Sequence, residues 1–521
     1  MFGNLIMSIP SVLMNGVTNE SQDLTINTEV LEPNSLNAVQ AVFVLPKKGS
    51  VLDSKSALKF RIDWSGYTQA TASDIGGKLF SGVLGAIKNA RLYASGQLIS
   101  DLRHAGEKIH LDNQWKSQEY REEYLDIKHA SASGFAIAED VLQSGASGSI
   151  CSTDRFDNRV GADAVCHDKP YFRGIGTSAD KNGLESFLLL EELFPMLKDI
   201  QLPLRFLKDE IRIEIDWEQD KTKWLYVGGD ATFDGNPARG LDTVTISEAV
   251  LFLDYITYSP EVDASLEATL AQSGVSIPFR QTAVITKQLA AATGAETALS
   301  EDILMGQEGR AVMKVYAAKK YSSAVTDTIN GVGGQTANPA FTLQGDCRSD
   351  RLRDERFNLV VNDLLILDRD CENNHEAYAL FSEAGEAPAT TYPNAWEENT
   401  AYVAGNMPIS ATTDVLYCVN DANNADQKIL SHASTTKGIV EAGIWGTQNW
   451  IGFNIGQGYG RGLNPANAMR IGATPLRLRI TRSTLGDVAT QKINSPVQVV
   501  CFVEYLRLFD LRDGEVAVRD L

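Results

Sequence analysis

The sequence predicts an all-β protein built of two strand-rich halves of about equal length. Three observations lead there. Segments with strand character far outnumber segments with helical character. The one helix with clean boundaries, Ser259–Gln272, lies almost at the midpoint of the 521 residues. A pattern of strand, tight turn, strand and charged helix occurs once in each half, from Ile87 to Lys128 and from Phe357 to Glu383. A duplicated β domain with long loop insertions accounts for all three.

The elements follow in chain order. Leu5–Met14 is apolar and has no basic stretch before it, so it reads as an arm that packs on a neighbouring surface and not as a secretory signal. Val39–Leu45 and Ala57–Trp64 carry the β-branched and aromatic residues of strands. Ile87–Ile99 reads as two strands about a turn at Ser95-Gly96. Gly106–Lys128 is charged and amphipathic, with Trp115, Tyr120 and Tyr124 as anchors. Gln201–Trp217 reads as two strands about a turn at Lys208-Asp209. Its second half places Ile211, Ile213, Ile215 and Trp217 on one face and Arg212, Glu214 and Asp216 on the other. Val244–Tyr258 and Val497–Phe509 are more continuously apolar, as expected of strands buried on both faces. Between them, Ser259 stands as N-cap, Pro260 in the first turn, Glu261 and Asp263 near the positive helix end, and Ser273-Gly274 at the C-terminus. The chain so divides into an arm (1–34), a first β domain (35–258), a linking helix (259–274) and a second β domain (275–521), with residues 387–450 inserted in the second.

Composition narrows the function. With 47 Lys and Arg against 67 Asp and Glu, the net charge is −20, which disfavours broad binding to phosphate backbones. The apolar fraction of 43% and charged fraction of 22% are those of a folded globular chain. No apolar run approaches the roughly 20 residues that span a bilayer. The six cysteines are scattered without a C-x-x-C pair, so free thiols are expected, not a disulfide framework or a zinc site.

Ala90–Asp101, Gln201–Phe206, Glu248–Ser259 and Val500–Val516, in this order, together resemble elements of the double jelly-roll major capsid proteins of tailless icosahedral DNA viruses. Ala90–Asp101 (ARLYASGQLISD) is similar to that family's strand-Gly-Gly-Gln-strand element, with Ser95-Gly96-Gln97 here. Gln201–Phe206 (QLPLRF) resembles its IPLxFWF strand, with Leu207-Lys208 where a second aromatic is common. Glu248–Ser259 and the helix after it resemble the crossing between barrels, and Val500–Val516 the final strand and tail. The resemblance implies two tandem eight-stranded jelly rolls (a double jelly roll) joined by a short helix, with a small β insertion in the second. It implies a non-enzymatic major capsid protein that forms a homotrimeric pseudo-hexagonal capsomer in an icosahedral virion shell and is made in the host cytoplasm. Its implied partners are copies of itself, neighbouring capsomers, and penton and minor capsid proteins. An internal membrane and host-surface glycan are further candidates, and direct nucleic-acid binding is not expected.

The inserted segment resembles a small chitin-binding-type carbohydrate module. Trp396, Tyr402 and Gly405 fit its AW-x5-Y-x2-G run, Tyr417 its following strand and Trp445 its closing tryptophan. Asn406-Met407-Pro408 departs from it, because the module usually carries an Asp and a Val in a strand there. Flat aromatic faces stack on sugar rings, so Trp396, Tyr402, Tyr417 and Trp445 are the candidate glycan-binding residues. A module of about 60 residues also needs a core of its own, and the same aromatics are strong candidates for it.

No catalytic, cofactor-binding or metal-ligating residue is assigned. Gly76-Gly77-Lys78 lacks the remainder of a phosphate loop, and Gly456–Gly462 misses the dinucleotide spacing. His104 and His110 are six apart and do not share a helix face. Asp368, Asp370 and Glu372 alternate like a calcium loop, but Asn373 and Ala379 break the pattern. Arg348, Arg351, Arg353 and Arg356 stand among acids, as on a solvated face or a salt-bridge patch between subunits. The alternative to a capsid role is a β-sandwich polysaccharide-active enzyme carrying a carbohydrate-binding module.

Overall fold

The structure is a computed structural model that describes residues 24–65, 75–77, 82–115, 183–219, 225–227, 243–289, 298–321, 356–372, 374–385, 451–456, 468–483 and 497–521. Within these residues each half has eight principal strands. The first half has β1 (Leu24–Leu31), β2 (Gln40–Leu45), β3 (Ala57–Ser65), β4 (Ile87–Ala94), β5 (Gln97–Arg103), β6 (Gly183–Leu189), β7 (Ile211–Trp217) and β8 (Thr243–Tyr258). The second half has β9 (Val275–Leu289), β10 (Ala298–Gly306), β11 (Ala311–Tyr321), β12 (Arg356–Val361), β13 (Leu364–Leu365), β14 (Ile451–Asn454), β15 (Leu476–Ser483) and β16 (Val497–Arg512). Helix α1 (Ala105–Gln114) follows β5, α2 (Pro260–Gln272) joins the halves and α3 (Asn374–Ala384) follows β13. A last strand, β17 (Glu515–Asp520), folds back on β16.

The two halves share one topology. The first packs a sheet ordered β1-β8-β3-β6 on another ordered β2-β7-β4-β5. The second packs β9-β16-β11-β14 on β10-β15-β12-β13. Each strand number in the second half is the first-half number plus eight. All of these pairings are antiparallel. The echo of strand, turn, strand and helix in the sequence is therefore a repeat of β4-β5-α1 in β12-β13-α3.

Side-chain alternation explains the sheets. On β7, Ile213 lies between Phe43 and Leu92, and Ile215 between Ala41 and Ala90, all buried. The opposite face is a charge ladder: Arg91 pairs with Glu214 at 3.2 Å and with Asp216, Arg212 with Glu214 at 3.1 Å, and the Arg212 guanidinium sits 4.5 Å above the Tyr93 ring. The turn joining β4 to β5 puts Ser95 and Gly96 at φ 51° and 73°, the two left-handed positions of a primed hairpin turn. Asn362 and Asp363, at φ 49° and 64°, make the equivalent turn from β12 to β13. Gly106 sets α1 in place: a Cβ there would lie 2.1 Å from the carbonyl oxygen of Leu84, so only glycine allows this approach.

Several expectations are corrected. Gln201–Phe206 is not a strand. Pro203 has no N–H to give a ladder, so the segment makes one bridge, Leu202 to Leu52, and then a 3-10 turn over Leu204–Phe206. Leu24–Leu31, within the stretch 1–34 expected as an arm, is the edge strand β1 and pairs along its length with β8. Burial on both faces holds for β16, where Val499–Val503 are all inaccessible. It fails for β8, whose Leu251, Leu253 and Tyr255 are buried while Val250, Phe252 and Asp254 are half-exposed. Helix α2 begins at Pro260, but the Ser259 side chain makes no capping bond. Its Ser273 and Gly274 amides both return to the Thr269 carbonyl. Helix α1 ends at Gln114, and Tyr120, Tyr124 and residues 1–23 lie outside the described residues.

Ile213→Ala should lower stability by about 2–5 kcal/mol, because the cavity lies inside a packed core. Arg212→Ala, on the solvent side of the same strand, should change it by about 0.5 kcal/mol or less. The chemical-denaturation midpoints of the two variants check the pair.

Candidate functional site at the seam between the halves

In the sheet β9-β16-β11-β14, the central strands β16 and β11 are buried on both sides. Its inner face, with Val499, Cys501 and Val503, joins the second core beside Ile303, Phe357 and Phe453. Burial pushes the Cys501 thiol up to about 12, so it stays protonated and inert. The outer face, with Val500, Phe502, Tyr316 and Ala318, packs on Leu111 of α1 and Phe381 of α3. Trp115, at the end of α1, is wedged between these elements. Its ring centroid is 4.8 Å from that of Phe381 and 5.1 Å from that of Tyr316, and its Nε1 donates to the Phe381 carbonyl at 2.8 Å. Tyr316 stacks in turn on Phe502 at 5.3 Å. Trp115 is thus an anchor, as its place in the charged helix suggested.

Charges are buried in this seam. Lys108 and Asp112, one helical turn apart on α1, form an ion pair, and Lys108 is 2% exposed. Tyr316 donates to the other Asp112 oxygen at 3.2 Å. From the second half, Lys314 reaches Glu504 at 3.5 Å and stands 4.9 Å from the Trp115 ring. Asp199, just beyond the turn Pro195–Lys198, takes Arg280 in a two-pronged grip at 2.7 and 3.1 Å and also accepts the Arg280 backbone N–H at 3.0 Å. Gln281 reaches the Asp101 carbonyl of β5 at 3.3 Å.

Burial and partner charges compete at each group. Burial pulls the Lys108 ammonium below its ordinary value, against the pull of Asp112 and Glu504. Burial raises the Asp112 and Glu504 carboxyls, but the cations Lys108, Lys198, Lys314 and Arg280 outweigh it and leave both below the ordinary range. At Asp199 burial wins over Arg280 and the carboxyl is raised. Burial, with Asp112 and Glu504 nearby, holds the Tyr316 hydroxyl well above its usual value. A small slip of one half on the other would unpair several of these groups, each at a cost of about 1–3 kcal/mol or more. The arrangement therefore fixes how the halves dock. Lys314 within AVMKVYA and Glu504 within VVCFVEYL carried the signal in sequence: single charges inside otherwise apolar strands.

The other candidates separate. Trp396, Tyr402, Tyr417 and Trp445, with the whole of 387–450, lie outside the described residues. His104 contacts Glu107 at 2.9 Å at the start of α1. Asp370 accepts from Asn358 at 3.1 Å, and Glu372 pairs with Arg356 at 3.2 Å. Among the described residues, no three His, Cys, Asp or Glu side chains converge as a metal site.

Asp112→Ala should cost about 3–5 kcal/mol, because it strands the buried Lys108 charge, whereas Lys108→Met with Asp112→Leu should recover most of that loss. Melting curves of the single and double variants check this. The depressed Asp112 and Glu504 values contribute stability that is fully present above the ordinary carboxylate range and is lost as pH falls through their folded values. The melting temperature should therefore drop as the pH is lowered below about 4, and less steeply in the apolar double variant.

No protein-family model matches the sequence, and no curated protein matches it. Solved structures match its fold. A chain in the cryo-EM structure of the Sputnik virophage superposes with a TM-score of 0.55 at 12% identity, over 97% of this chain and 90% of that one. A chain of the PBCV-1 virus capsid gives 0.51 at 10% identity, over 97% and 98%. PBCV-1 VP54, fitted into a reconstruction of the Sputnik virophage, gives 0.50 at 10% identity over the same shares. Identities this low transfer the fold and no site residues. With two eight-stranded barrels of one strand order in tandem, the chain has the double jelly-roll fold.

Proposed function

We propose that this protein is a major capsid protein whose copies assemble as a homotrimeric, pseudo-hexagonal capsomer tiling an icosahedral virion shell. The observation that carries the reading is the duplication itself. Two barrels of identical strand order are locked side by side by a seam with buried charges, so three chains supply six similar building blocks. The solved structures with this fold include a virus capsid and a virophage. A closed ring of heterologous contacts is the economical way to use such a unit. The working boundaries take the first barrel from β1, at Leu24, to residue 258, the helix over 259–274 and the second barrel over 275–521. Neighbouring capsomers, penton and minor capsid proteins, and an internal membrane complete the proposed setting. The inserted segment 387–450 would decorate the outer surface or bind host glycan through Trp396, Tyr402, Tyr417 and Trp445.

Light scattering of the purified chain should give a species of three times 56.8 kDa, with a pseudo-hexagonal outline in negative stain. A monomer at high concentration without that outline refutes the reading and favours the polysaccharide-active alternative. For the insertion, the full chain should be retained on immobilised chitin oligosaccharide and Trp396→Ala should abolish retention. No binding at millimolar sugar ends the glycan role.

A further inference from the structure

The duplicated topology makes each contact at the seam a template for one contact outside the chain. In the second half, the outer face of β9-β16-β11-β14 is covered: β9 lies along β5, with Gln281 bonded to the Asp101 carbonyl, and α1 packs on Phe502 and Tyr316. The equivalent face of the first half is β1-β8-β3-β6. Register puts Val30, Phe252, Ala57 and Leu189 in one row across all four strands on that side, with Ala57 itself buried and Phe187 5.7 Å from Phe252. Both faces carry a Lys–Glu pair between the third and eighth strands of their barrel, each at 3.5 Å. Lys314–Glu504 is 14% and 7% exposed under its cover, whereas Lys59–Glu248 is 26% and 41% exposed. Ile26 and Val30 on β1 are 56% and 54% exposed. Among the described residues, this face lacks the cover that its counterpart has.

The piece that would supply such a cover is also present and open. Strand β5, which lies on β9, corresponds to β13 in the second half. At β13, Leu364 is 72% and Leu365 46% exposed, and Ile366 beside them is exposed as well. Within one chain, β13 belongs to the second half and the open face to the first. We propose that the β13 edge of one copy, through Leu364, Leu365 and Ile366, covers the β1 edge and the adjoining Phe252 and Phe187 of a second copy. The contact continues the seam from chain to chain, with β1 on β13 between copies as β9 lies on β5 within one. The two patches differ, so the contact is heterologous and can close a ring. The proposal rests on the capsomer reading and names its contact surfaces.

The test uses the full-length chain with Val30→Cys and Leu364→Cys together, and each alone. All these positions are exposed, so the fold should survive, and circular dichroism verifies it. Mild oxidation should link the double variant into covalent multimers, while the wild type and both single variants stay unlinked. Val30→Asp and Leu364→Asp should each remove the trimer peak in light scattering. A wild-type trimer whose paired cysteines stay unlinked and whose mass is indifferent to both aspartates overturns the proposal but not the capsomer. It would leave the face to another occupant, such as residues 116–182 of the same chain. A wild type that is monomeric throughout overturns both.

Discussion

Lys108 and Glu504, which are buried, and Asp112 and Lys314, which are half-buried, are tolerated there only in one another's company, and the arrangement of the halves depends on that requirement. An isolated ammonium or carboxylate in an apolar contact costs several kcal/mol. The seam avoids this cost because α1 brings one ion pair, the β11-β16 face brings the other, and Trp115 and Tyr316 stand between them. The aromatic cluster supplies area and the charges supply alignment. An apolar contact alone would tolerate sliding; here, sliding leaves a charge without a partner. The Asp199–Arg280 grip applies the same constraint at a second point of the boundary.

The seam is not the whole connection between the halves. Val275, Ile277 and Phe279 from the start of β9, with Phe509 and Leu511 from the end of β16, belong to the first core. The C-terminal hairpin touches the first half again where the Lys208 amide donates to the Gly514 carbonyl at 2.9 Å. The last strand of the second barrel thus helps to complete the first, and the first half does not close its core from its own residues alone.

Much of this was legible in the sequence, because period-2 alternation reports directly on a face. The isoleucines of β7, the Ser95-Gly96 turn and the mid-chain helix stand where their patterns put them. Local pattern failed at Gln201–Phe206, where apolar residues suggest a strand but Pro203 diverts the chain into a turn. It failed in another way at β8 and β16. Both read as continuously apolar, yet only β16 has a partner on each side, and a strand's own residues do not say what lies opposite. Lys108 and Asp112 look like any solvated pair one helical turn apart. Their burial follows from Leu111 and Trp115 meeting residues more than two hundred positions away, a separation that no local period encodes.

The duplication also places the two longest connections at the same step of each barrel. In the first half the chain leaves α1 and returns at β6; in the second it leaves α3 and returns at β14. Both excursions occur between the fifth and sixth strands, where the chain passes from one sheet to the other. Loop-closure entropy grows only with the logarithm of length, by about 0.6 kcal/mol for each doubling. Sequence can therefore accumulate, diverge or be exchanged at these two steps for little thermodynamic penalty, while the strands that build the barrels keep their register. A topology used twice thus gives one chain two separate places for insertion, each able to change without disturbing the other.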